Sequence, residues 1–178
     1  MEDLQIRDSV FKWRDRTYIM GILNTTPDSF SDGGQFNTLE TAIQQAHRMV
    51  RDGADILDIG GQSTRPGAET ISLTEELART IPVIEALRRE QNIPISIDTT
   101  RAEVARKAVE VGADWVNDIS GGTCDPLMLP TVAQLGVPII LMHLRGTPQT
   151  MQQLTDYEDL IPDIQQFFDH QIEQALHF

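Results

Sequence analysis

Tyr18-Ile19-Met20-Gly21-Ile22-Leu23-Asn24-Thr25-Thr26-Pro27-Asp28-Ser29-Phe30-Ser31-Asp32-Gly33-Gly34 is an apolar run that stops abruptly in polar residues and glycines. The apolar part has the length of a strand, and residues 17–23 are read as one. The loop after it has no aliphatic residue and one aromatic, Phe30. A loop this long and this rich in hydroxyls and carboxylates is more often functional than connective. A helix over about 38–51 is expected next. Thr38 is its expected N-cap, Ala42, Ile43, Ala46, Met49 and Val50 fall at helical spacing, and Gly53 closes it.

The strand–loop–helix pattern then repeats. Strand 54–59 leads to loop 60–67 and a helix over 73–91, in which Pro82 predicts a kink or break. Strand 93–98 leads to helix 101–111, and strand 113–118 to a helix near 126–135. Strand 137–142 leads to His143 and a final helix over 157–176. Ahead of all this, residues 4–13 read as a hairpin with Asp8-Ser9 near its turn. Strict alternation predicts a parallel sheet with helices outside.

Each strand ends its apolar run in a polar residue: Asn24, Asp58, Asp98, Asn117 with Asp118, and His143. Chemistry spread over every strand end favours a barrel rim, because an open doubly wound sheet gathers its site at one switch point. No G-x-G-x-x-G or Walker A sequence is present. The expected fold is therefore α/β, of (β/α)8 TIM-barrel type, here as an N-terminal hairpin plus five βα units. A full barrel needs eight. One domain over 1–178 is expected, ending before a sixth strand, with open edges that call for more chain or a partner.

The composition is that of an ordinary globular chain, 40% hydrophobic and 23% charged. A formal net charge of −13 argues against nucleic acid or an anionic membrane as partner. The lone Cys124 cannot form an internal disulfide, which fits a reducing cytoplasm. No signal-like or membrane-length apolar run occurs.

The candidate site residues each admit two readings. The Asn24 amide at a strand end suits a hard cation such as Mg²⁺, which often takes one or two protein oxygens and the rest from water and phosphate; it would equally serve as a turn cap. Arg65, beside Ser63 and Thr64, can grip a pyrophosphate or carboxylate, or simply ride a turn set by Pro66-Gly67. Asp58, Asp98 and Asn117 offer donors and acceptors to a flat heterocycle, or brace one another. For Asp118, His143 and Arg145 a structural role is expected. Trp115, Ile22 and Met142 read as barrel core, with Met142 also able to floor a pocket.

Five stretches carry a resemblance: residues 22–34, then Asp58 to Gly67, then Ser96-Ile97-Asp98-Thr99, then Asn117 to Gly122, then Met142-His143. In this order they resemble the dihydropteroate synthases of the pterin-binding barrel family. The resemblance implies condensation of a hydroxymethyl-dihydropterin pyrophosphate with p-aminobenzoate, releasing pyrophosphate and giving 7,8-dihydropteroate. It implies Asn24 as the Mg²⁺ ligand, Thr64 and Arg65 at the pyrophosphate, Asp98 and Asn117 on the pterin, and Met142 against it. Phe30 and Pro66 are implied to flank the p-aminobenzoate, and the parent enzyme to be a homodimer in the cytoplasm. Asp98, Arg65 and Asn24 are the expected catalytic residues.

Gln62 departs from the family's usual Glu, and Leu144 from a common Met. The family's later strands carry further site residues, so residues 1–178 alone are expected to have little or no synthase activity. Rival readings are a methyltetrahydrofolate:corrinoid methyltransferase of the same fold, which the Arg65 loop disfavours, and a non-catalytic pterin-binding or dimerisation module.

Overall fold

The computed structural model describes residues 3–26, 35–65 and 67–178. The chain opens with a hairpin of β1 (Leu4–Ile6) and β2 (Ser9–Phe11), paired antiparallel with Ile6 opposite Ser9. Its two-residue turn is Arg7-Asp8, and Arg7 takes φ 53°. Then come β3 (Met20–Asn24), α1 (Gln35–Arg51), β4 (Ile56–Gly60), α2 (Leu73–Glu90), β5 (Ile95–Asp98) and α3 (Ala102–Glu110). They are followed by β6 (Trp115–Asp118), α4 (Met128–Leu135), β7 (Ile139–Leu141), a 3₁₀ turn at Met151–Gln153 and α5 (Leu160–His177).

Strands β3 to β7 form one parallel sheet in sequential order, each beside the next in the chain. Among the described residues the strand order never reverses, so the sheet is singly wound, as in a barrel wall and unlike a doubly wound fold. It is part of a (β/α)8 barrel.

Two local expectations change. Helix α1 starts at Gln35, so Thr38 lies inside it rather than capping it. Helix α2 runs unbroken through Pro82. Pro82 and Ala78, whose carbonyl loses its helical donor, are both exposed, so water can meet the unpaired oxygen.

Alternation along the strands divides the sheet into two faces. Leu23, Leu57, Ile59, Ile95, Ile97 and Val116 are fully buried against the helices, with Ala46, Ile84, Leu87 and Val104. The other face is the inner wall of the barrel. At its lower end Phe11 from the hairpin packs on Trp115, edge to face at 5.3 Å, with Ile56 beside them. The hairpin thus plugs the strand starts. Asp114 fixes it there: it accepts from Arg7 Nε at 2.6 Å, Arg88 Nη2 at 2.7 Å and the Ile95 amide at 2.9 Å.

The candidate active site at the strand ends

The upper half of the inner wall is polar. Register sets Asn24 opposite Gly60, Gly60 opposite Asp98, and Asp98 opposite Asn117. Three candidate site residues from three strands, Asn24, Asp98 and Asn117, therefore share one rim. Gly60 leaves the space that Asp98 needs, since a Cβ there would sit 3.2 Å from Asp98 Oδ2.

Asp58 lies one step deeper and is buried. It accepts a hydrogen bond from Asn117 Nδ2 at 3.0 Å. That bond orients the Asn117 amide, leaving its carbonyl oxygen as the group free to accept. Asp58 Oδ1 and Asp98 Oδ1 are buried with no hydrogen-bond partner among the described residues. Burial, then the charges of Asp58, Glu76 and Asp118, push the Asp98 carboxyl up to about 7. Burial also raises Asp58, partly offset by hydrogen bonds including that from Asn117. Buried acceptors left without donors mark a place for a donor-bearing ligand.

These groups wall a cleft of about 720 Å³. Asn24, Asp58, Asp98, Asn117, Thr64 and Arg65 all line it. Asn24 is exposed, and neither its amide nor the Arg65 guanidinium has a side-chain partner among the described residues. Thr25 ties the first loop to the rim, its amide and hydroxyl both donating to Gly60 O. Met142, just past β7 and 40% exposed, is not among the residues lining the cleft. Ile22 faces the cleft and is 60% exposed rather than core. Only Trp115 of the three expected core residues is buried. Phe30 and Pro66 lie outside the described residues.

The three residues expected to be structural each have contacts within the fold. Asp118 accepts from Ser120 N, Ser120 Oγ and Gly122 N, organising the turn after β6. His143 packs edge to face on Phe167 of α5 at 4.9 Å. Arg145 donates to Asp156 O and stacks on Tyr157. Cys124 is exposed and free.

Sequence reasoning missed the supports behind the site. Glu76 of α2 is 2% exposed; it accepts from Thr99 Oγ1 at 2.6 Å and from Arg101 Nη1 at 2.7 Å. Gln62 spans the base of the Arg65 loop: Nε2 donates to Ser63 O and Glu69 O, and Oε1 accepts from Ile71 N at 2.8 Å. From the far side, Gln149 Nε2 donates to Ala68 O and Gly67 N donates to Pro148 O. None of the described helices is long and apolar enough to cross a membrane.

Comparison with known proteins agrees with this geometry. Residues 20–178 match the family model described as pterin binding enzyme. A dihydropteroate synthase of Synechocystis sp. is 66% identical over 175 residues, covering 98% of this chain and 61% of that protein. The Xanthomonas albilineans dihydropteroate synthase solved with 4-aminobenzoic acid is 44% identical, with a TM-score of 0.83 over 92% of this chain and 57% of that one. The structure of the Xanthomonas enzyme with 7,8-dihydropteroate gives 38% identity and a TM-score of 0.83, over 99% of this chain and 61% of that one. The chain thus spans about three-fifths of the length of these relatives. With the family match and the rim geometry pointing the same way, the chain belongs to the pterin-binding enzyme family.

Proposed function

We propose that these residues supply the pterin-binding and leaving-group part of a dihydropteroate synthase. The observation that carries this is the half-buried Asp98 carboxylate beside Asn117, whose buried Oδ1 has no donor among the described residues. The N–H groups of an aminopyrimidine edge would complete it, while Asn117 presents its carbonyl alongside. Met142, which the resemblance sets against the ring, lies on the same face of the sheet by strand alternation, outside the residues that line the cleft. The relatives bound to 4-aminobenzoic acid and to 7,8-dihydropteroate support both substrates.

As pyrophosphate departs, positive charge builds on the pterin methylene. A carboxylate fixed in a buried wall stabilises that charge without reorganising. Ligand donors that favour the ionised form draw the Asp98 proton off near neutral pH. Arg65 and Thr64 face the cleft and would hold the pyrophosphate, the guanidinium in bidentate fashion. The amine of p-aminobenzoate then needs only positioning, a role the resemblance gives to Phe30 and Pro66.

Among the described residues no group of three His, Cys, Asp or Glu could hold a metal by itself. The single unpartnered amide oxygen of Asn24 fits Mg²⁺ as one ligand among water and phosphate oxygens. Bound there, the ion would supply charge neutralisation to the leaving pyrophosphate. A homodimer and a cytoplasmic location belong to the same reading; the dimer rests on the resemblance alone, and sedimentation decides it. The exposed Cys124 thiol suits a reducing compartment.

The test is pyrophosphate release by the full-length protein. Release that requires both the pterin pyrophosphate and p-aminobenzoate is expected. Methyl transfer from a folate without pyrophosphate chemistry would replace the proposal with the methyltransferase reading.

A further inference from the structure

Arg101, just past β5, is the place where two arms of the cleft meet. Its Nη2 donates to Ile71 O at 2.6 Å and its Nη1 to Glu76 Oε2 at 2.7 Å. Both ends of its fork are therefore occupied by protein. Ile71 closes the loop that carries Arg65, and its amide is held from the other side by Gln62 Oε1. Glu76, in turn, accepts from Thr99 Oγ1 at 2.6 Å, and Thr99 directly follows Asp98. Thr99 Oγ1 also accepts from the Arg101 amide. Glu76 and Thr99 are 2% and 3% exposed, so the chain of bonds is anchored in the interior.

We propose that Arg101 is a positioning residue that registers the Arg65 loop against the Asp98 strand end. The proposal rests on the functional reading above for what those two arms hold. Physically, the leaving group and the ring it leaves are one molecule. The separation of the two arms must match it, and a loose loop would spend binding energy on its own ordering. Arg101 does this where a lysine cannot. Its planar fork reaches two acceptors in fixed directions, whereas an ammonium is a single point with no such geometry. Glu76 aims the guanidinium by accepting from Nη1, and Gln62 needs an amide because it donates to carbonyls and accepts from an N–H at once.

Arg101→Lys keeps a charge against Glu76 and removes the fork. Gln62→Leu removes the other hold on Ile71 from the less buried side, and reads the same link should the lysine variant fail to fold. In the full-length protein, each variant is expected to speed hydrogen exchange at the Ile71 amide and its loop neighbours by about tenfold or more. Each is expected to weaken binding of the pterin pyrophosphate by about tenfold while leaving the hydroxymethyl pterin without pyrophosphate within about twofold. Unchanged exchange and unchanged affinity, or equal loss for both pterins, would overturn the proposal. Exchange is read without ligand, so a wild type that binds neither pterin removes the functional reading while the exchange arm still decides the link.

Discussion

Asp98 pays for its position in the ligand-free protein. Its carboxyl, raised from 3.8 to about 7 by burial and neighbouring acids, binds a proton in the folded chain that the unfolded chain releases. Between about pH 4 and pH 7 the native state therefore holds more protons, so this group lowers stability as pH rises through that window. Below the window both states are protonated and the effect vanishes. Asp98→Asn is expected to raise stability relative to wild type by roughly 2–4 kcal/mol at pH 8 and by little at pH 4, read by urea unfolding at both values. A variant no more stable at pH 8 would show that Asp98 is not held in a desolvated wall. The same residue argues for function: a side chain that destabilises the empty fold is kept by what it binds.

At the scale of elements, the sheet positions the site and the hairpin closes its floor. Asp114 joins the hairpin through Arg7 to α2 through Arg88, whose side chain is 14% exposed. Removing that carboxylate would leave Arg88 half-buried beside Arg7 with no counter-charge. Asp114→Ala is expected to destabilise by about 3–5 kcal/mol in chemical denaturation, without altering the rim. A loss under about 1 kcal/mol would mean the latch is solvent-screened like a surface pair. The strands and their polar ends were legible because alternation and burial leave a clear trace in sequence, with Asn24, Asp98 and Asn117 each closing an apolar run. Glu76 was not legible. An acid in the first turn of a helix reads as a solvated end charge, and its partners Thr99 and Arg101 stand 23 and 25 residues away. Pro82 left a kink or a break open, and the helix is unbroken, with the freed Ala78 carbonyl on an exposed residue that water can reach. The bracing of the Arg65 loop by Gln62 and Gln149 likewise depends on contacts across loops that no periodicity records.

At the scale of the whole molecule, the five strands form part of a barrel wall. Ile22 and Met142, apolar side chains of the inner face, are 60% and 40% exposed. A polypeptide of residues 1–178 alone is expected to make dihydropteroate at least roughly a hundredfold more slowly than the same residues fused to the remaining C-terminal part of the Synechocystis relative. Equal rates from the two would contradict the view that the remaining wall completes the site. Ring recognition by Asp98 underlies everything above it, and it can be measured without chemistry or metal. The direct test is calorimetric titration of the full-length protein with hydroxymethyl dihydropterin, wild type against Asp98→Ala. Binding by the wild type, weakened at least about a hundredfold in the variant, is predicted. Equal affinity in both would contradict the account.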